Sequence, residues 1–122
     1  MLPQCHTRVL DICAVTTPHF EIVSQLASDG VLRVRLSGDF DMNVGAELSD
    51  TLVDAATDPG VTRVVVDLDR TEFLDSHGVA GLVAGYERAA SADMRFTVVN
   101  AHGMVKRVLD ITGLSEVLQD KT

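Results

Sequence analysis

Asp75, Ser76 and His77 stand in succession within "TEFLDSHGVAGLVAGYERA" (residues 71–89), where an apolar, strand-like run gives way to a helical pattern. Three kinds of chemistry suit them. A serine beside a histidine can be a nucleophile, a serine opening a helix can cap it, and an exposed hydroxyl can accept a phosphoryl group. A hydrolase elbow asks for glycine two residues before and two after the serine. Gly78 is present, but Leu74 fills the earlier position. His77, adjacent in sequence, projects elsewhere on the first turn, which leaves His102 as the other base. Capping is met by Asp75 alone, and with Gly78 and Val79 at the third positions neither Asp75 nor Ser76 completes a capping box. Ser76 is therefore not needed as a cap.

The surrounding pattern says what must hold these residues. "FEIVSQLA" (20–27) and "VLRVRLSG" (31–38) read as strands of a hairpin turning through Ser28-Asp29-Gly30. Helical spacing of Val44, Leu48, Leu52, Val53 and Ala56 predicts a helix over 43–58, stopped by Pro59-Gly60. "VTRVVVDL" (61–68) is a β-branched strand, 76–90 a helix with Val79, Leu82, Val83 and Tyr86 on one face, and "MRFTVVN" (94–100) a strand. A last helix over 102–112 ends at Gly113. The order β-β-α-β-α-β-α predicts an α/β fold with a mixed, mostly parallel four-stranded sheet.

Along these strands one face carries Glu21, Arg33, Arg35, Arg63, Asp67, Arg95 and Thr97, and the other Phe20, Ile22, Leu32, Val34, Leu36, Val64, Val66, Phe96 and Val98. A sheet covered on both sides needs strands apolar on both, so the helices are expected mainly on one face. Residues 1–18 are expected to be a poorly ordered lead-in to a single domain spanning 19–122. Gly78, Gly81 and Gly85 form a narrow stripe on their helix, which predicts close approach of a neighbouring helix or of a partner.

Loops at the carboxyl ends of parallel strands collect along one edge. The segments 37–43, 67–78 and 100–103 would bring Asp39, Asp41, Asp75, Ser76, His77, Asn100 and His102 together there. No spacing among them is diagnostic of a metal, and none is expected. Residues 39–75 hold ten acids and two bases in a chain of net charge −8. Such a patch disfavours nucleic acid and anionic lipid and favours a basic protein partner. No run of 18 apolar residues is present, the N-terminus lacks a secretory pattern, and Cys5 and Cys13 match no redox or metal motif. Membrane insertion is not expected, and a cytoplasmic setting is.

"LSGDFDMNVGAEL" (36–48) together with "VVDLDRTEFLDSHGVAGLVAGYERA" (65–89) resembles the STAS domain of bacterial anti-sigma factor antagonists, over roughly residues 20–118. His77 stands where many members carry a second small hydroxyl, and Val44 where threonine is frequent. The resemblance implies a regulatory binding protein and not an enzyme, with no cofactor. Its partners would be an anti-sigma factor that is also a serine kinase and uses ATP, and a phosphatase that resets the switch. Ser76 would be the phosphorylation site, Asp41 the acidic residue beside it, and Asp39, Asn43, Asp75, His77 and Gly78 part of the docking surface. STAS subunits of lipid-transport ABC complexes or of stressosome-like scaffolds are the alternative the same resemblance allows.

Overall fold

The computed structural model describes residues 7–9, 12–16, 20–27, 29–40, 45–57 and 60–114. Strands β1 (Thr7–Val9), β2 (Ile12–Thr16), β3 (Phe20–Leu26) and β4 (Val31–Phe40) are followed by helix α1 (Gly45–Thr57), strand β5 (Arg63–Leu74), helix α2 (Ser76–Ser91), strand β6 (Arg95–Val99) and helix α3 (Gly103–Ile111). The six strands form one sheet in chain order. β1 to β4 pair antiparallel and β4, β5 and β6 parallel. The four strands read from the sequence are β3 to β6, in the expected order and directions.

The hairpin between β3 and β4 closes as its residues dictate. Gly30 takes the left-handed φ of +88° that glycine tolerates best. Its N–H donates to the Ala27 carbonyl at 3.1 Å, and the Asp29 carboxylate accepts the Val31 N–H at 3.1 Å. Alternation then sets the faces. Leu32, Val34 and Leu36 are buried, while Arg33 and Arg35 between them are exposed.

One hydrophobic core joins Phe20 and Ile22 of β3, Leu32, Val34, Leu36 and Phe40 of β4, Val64, Val66 and Leu68 of β5, and Phe96 and Val98 of β6. Leu48, Leu52 and Ala55 of α1, Val79, Leu82 and Ala89 of α2, and Val105 and Leu109 of α3 belong to the same core. The three helices therefore share one side of the sheet. Each such aliphatic side chain contributes about 1.5–3 kcal/mol by leaving water, which fixes the helices against the strands. Phe20 and Phe40 meet at 5.4 Å between ring centres, and Tyr86 meets Phe96 edge-on at 6.2 Å.

Three sequence expectations are corrected. The lead-in 1–18 contains two strands, β1 and β2, whose antiparallel pairing covers the edge that β3 would otherwise leave open. The segments 37–43 and 67–78 are not simply loops, because β4 runs to Phe40 and β5 to Leu74. The parallel register between them slips twice, between Arg35 and Ser37 and between Gly38 and Asp39, each time leaving an extra residue on β5. After Asp67 burial consequently falls on Leu68, Thr71 and Leu74, a spacing of three that hides a strand from a period-two reading. Lastly, the face opposite the helices is neither polar nor exposed throughout, since the apolar Val65 is only 6% exposed there and Asp67 is buried as well.

Candidate functional site

The two bulges bend the end of β5, as bulges beside functional sites commonly do. Thr71 is buried in the bent stretch and donates its hydroxyl to the Leu36 carbonyl at 2.7 Å. At the strand's end the Asp75 N–H donates to the Phe40 carbonyl at 3.2 Å, so the exits of β4 and β5 lie side by side.

Asp75 then starts α2. Its backbone is extended, at φ −99° and ψ −170°, and its side chain accepts the N–H groups of His77 at 2.8 Å and Gly78 at 3.1 Å. That is an N-cap, a contribution of about 1 kcal/mol. Ser76, the first helical residue, is exposed and has no capping role. His77 is exposed too, with Nδ1 3.6 Å from the Asp75 carboxylate. Gly78 is buried where any Cβ would lie 2.8 Å from the Phe40 carbonyl oxygen. Only glycine lets the first turn of α2 pass over the end of β4. Farther along, a Cβ on Gly81 would meet Leu48, and one on Gly85 would meet Leu52 and Phe96. The glycine stripe is thus occupied by α1 and the sheet, not by a partner.

Around this turn lie acids. Asp39 is exposed and sits opposite Phe73 in the β4–β5 register; Asp69 and Glu72 are exposed on the bent strand. Asp41 and Asn43 fall outside the described residues. Phe73, 37% exposed, puts an aromatic ring among the acids, and Met104 at the start of α3 is 57% exposed. Reading 67–78 as a loop gives Phe73 no face, so the sequence does not single it out.

Asn100 and His102 approach the same edge through β5. Asn100 adopts a left-handed φ of 61°, and its side-chain amide donates to Asp67 Oδ1 at 3.1 Å. His102 Nε2 lies 2.7 Å from the Asp69 carbonyl; that oxygen can only accept, so the ring nitrogen donates. This bond ties His102 to β5 and His77 leans on Asp75, so neither recorded contact serves Ser76 as a base. Among the described residues no three His, Cys, Asp or Glu side chains gather as a metal site.

Asp67 holds the edge from behind. Burial alone would raise its carboxyl, but the Asp69 N–H at 3.0 Å, Asn100 and the charges of Arg33 and Arg35 outweigh it and hold the pKa below the ordinary 3.8. A carboxylate with a depressed native pKa stabilises the fold above its unfolded value and loses that contribution as pH falls through the native one. The stability advantage of wild type over Asp67→Asn should therefore be full above pH ~5 and shrink as pH drops below ~4. Urea melts across that range check this. A gap independent of pH would mean that the charge of Asp67 is immaterial.

A sequence model of the family described as "Mlab, STAS domain" matches residues 23–120. The anti-sigma F factor antagonist of Paenibacillus polymyxa is 27% identical over 89 residues, which make up 73% of this chain and 76% of that protein. An anti-sigma factor antagonist from Mycobacterium paratuberculosis, known as a crystal structure, is 30% identical with a TM-score of 0.73, covering 88% of this chain and 91% of that one. SpoIIAA is similar in fold in two states. Its unphosphorylated form gives a TM-score of 0.71 at 21% identity, covering 83% of this chain and 88% of that one. The phosphorylated form from Bacillus gives 0.66 at 20%, covering 83% and 91%. No described helix is long and apolar enough to cross a membrane. Since the matched stretch takes in β4, the bent strand β5 and the Asp75–Gly78 turn, the chain belongs to the STAS domain family.

Proposed function

We propose that the chain is an anti-sigma factor antagonist that docks on an anti-sigma factor serine kinase through the edge around Ser76 and thereby frees a sigma factor. Phosphorylation of Ser76 by that kinase ends the interaction, and a phosphatase restores it. The observation that carries this reading is the division of labour at the start of α2: Asp75 caps the helix while Ser76 stands exposed beside it. The names of the relatives from Paenibacillus and Mycobacterium support it. Asp39, Asp75, Ser76 and His77 present the surface, Gly78 lets the turn close, and this reading assigns Asp41 and Asn43 to docking as well.

The electrostatics give the switch its sign. A phosphate brings about −1.5 to −2 charges, and a helix N-terminus tolerates it. Asp75 beside it and Asp39 at the end of β4 add like charge, and a partner that had matched the acidic edge meets a larger, more negative one. Adding the chain to a preformed complex of sigma factor and anti-sigma factor should release the sigma factor. The chain treated beforehand with kinase and ATP should not. Release that is the same before and after treatment would contradict the switch.

Asp41 offers a separate check, because Phe40, its neighbour in sequence, hydrogen-bonds Asp75 through its carbonyl. Asp41→Ala should slow phosphorylation of Ser76 by roughly five-fold or more, as loss of a rim charge slows encounter, with the melting temperature unchanged. Radiolabel incorporation reads the rate; an unaltered rate removes Asp41 from the site.

The family description names Mlab, which favours one second reading, a STAS subunit of a lipid-transport ABC complex. Such a subunit would dock by the same edge without an acceptor serine. Co-purification with a transport ATPase, unaffected by Ser76→Ala or Ser76→Asp, would decide for it.

A further inference from the structure

Along β5 the side chains that face the core change phase twice. An unbroken alternation after Val64, Val66 and Leu68 would next turn Arg70 and Glu72 inward. The two register slips leave both exposed and give the core Thr71 and Leu74 instead. β5 accordingly runs through the twelve residues Arg63–Leu74 beside the ten of β4, Val31–Phe40. Thr71, 1% exposed, is the one polar side chain that this exchange brings into the core. A hydroxyl there is unfavourable unless it is bonded. Valine would supply the same shape, and as good a strand former, without that cost. What threonine adds is the bond from its hydroxyl to the Leu36 carbonyl, at 2.7 Å. Leu36 is fully buried and is the residue of β4 that the first slip passes over, with no partner of its own in the β4–β5 register. The Thr71 side chain thus ties the two strands where their regular pairing is interrupted.

We propose that Thr71 is a positioning residue for the turn that follows it: its hydroxyl holds the bent end of β5 on β4 and so fixes where Ser76 is presented. Ser76 comes five residues later. Beyond the second slip β5 meets β4 through the pairs Asp39–Phe73 and Phe40–Leu74, and through the Asp75 N–H on the Phe40 carbonyl at 3.2 Å. Without the Thr71 hydroxyl this short end opens from β4 more often. Asp75 moves with it, and so does Ser76, the first residue of the helix that Asp75 caps. Val79 and Leu82 keep the body of α2 in the core, which confines the looseness to the turn. A kinase must bring one hydroxyl into line with a phosphoryl group, and a misplaced group reacts far more slowly. That second step rests on the reading of Ser76 as the acceptor; the tie between the strands does not.

Hydrogen exchange of the full chain, followed residue by residue by NMR, tests the tie, and phosphorylation kinetics test its consequence. Thr71→Val keeps the shape and removes the donor. The Asp75 amide should then exchange roughly ten-fold faster or more, measured against Val64 and Val66 in the regular part of the same strand. Thr71→Ser keeps the hydroxyl and deletes a buried methyl. It should unfold in less urea than wild type, yet leave Asp75 as protected, relative to Val64 and Val66, as wild type does. For phosphorylation of Ser76, kcat/KM should fall roughly ten-fold in the valine variant and stay near wild type in the serine variant. Protection at Asp75 that merely tracks overall stability in both variants would make Thr71 a packing residue and nothing more. Unchanged exchange at Asp75 in the valine variant would remove the tie. A loosened turn with phosphorylation unaltered would cut the link from Thr71 to Ser76. Wild type that takes no phosphate would overturn the switch and this second step with it, while the exchange comparison still decides the tie.

Discussion

Ser76→Asp is expected to weaken binding to the anti-sigma factor by roughly five- to 150-fold, ~1–3 kcal/mol, while Ser76→Ala binds like wild type and takes no phosphate. The size follows from where the new carboxylate lands. Ser76 is exposed beside the capping Asp75, with Asp39 and Glu72 also exposed near the ends of β4 and β5. The alanine variant removes a hydroxyl that caps nothing, so neither the helix nor the surface charge changes. Folding stability should separate from binding. A carboxylate in the first turn of a helix interacts favourably with the free N–H groups by about 0.3–1 kcal/mol, so the aspartate variant should melt at or slightly above wild type. Titration calorimetry gives the affinities and thermal melts the control. Equal affinities for the two variants would sever Ser76 from binding, and a large loss of melting temperature would make it a structural residue.

The largest stability effect is expected at the contact between α1 and α2. Leu48 is fully buried, and Leu48→Ala should cost about 2–5 kcal/mol through lost burial and the cavity left behind. Its side chain also explains Gly81. A Cβ there would lie 3.1 Å from Leu48 Cγ and 3.2 Å from Cδ2, two atoms that the alanine variant deletes. Gly81→Ala in wild type must push Leu48 aside, which opposes the gain of up to ~1 kcal/mol in helix propensity. In the Leu48→Ala background the two tightest contacts are gone, only Cβ at 3.3 Å remains, and the new methyl fills part of the cavity. A double-mutant cycle by urea denaturation should therefore show favourable coupling of about 0.5–3 kcal/mol. Additive effects would mean that the glycine stripe is not shaped by α1.

How much of this could be read beforehand depended on period. Where strands alternate cleanly, as at Leu32, Arg33, Val34, Arg35 and Leu36, both the element and its buried face were legible. Where two bulges change the spacing, as from Leu68 through Thr71 to Leu74, the residues read as a loop and give the exposed Phe73 no face. β1 and β2 were missed because nothing in a short, mixed N-terminal stretch reveals the open edge of β3 that they pair with. At the site, the Asp75 cap and the exposure of Ser76 follow from serine and aspartate chemistry at a strand-to-helix junction. Why Gly78 is glycine does not, because the reason is the Phe40 carbonyl, 38 residues earlier in the chain. The role of Asp67 was equally hidden, since its partners Arg33 and Asn100 lie 34 and 33 residues away.

Phosphosite mapping by mass spectrometry tests the central claim most directly. The chain would be incubated with ATP and the anti-sigma factor kinase that binds it, digested, and the modified peptide sequenced. One phosphate on Ser76 is the expected result, with the modified chain no longer retained by the kinase. A phosphate on another residue, or none while binding persists, would contradict the account.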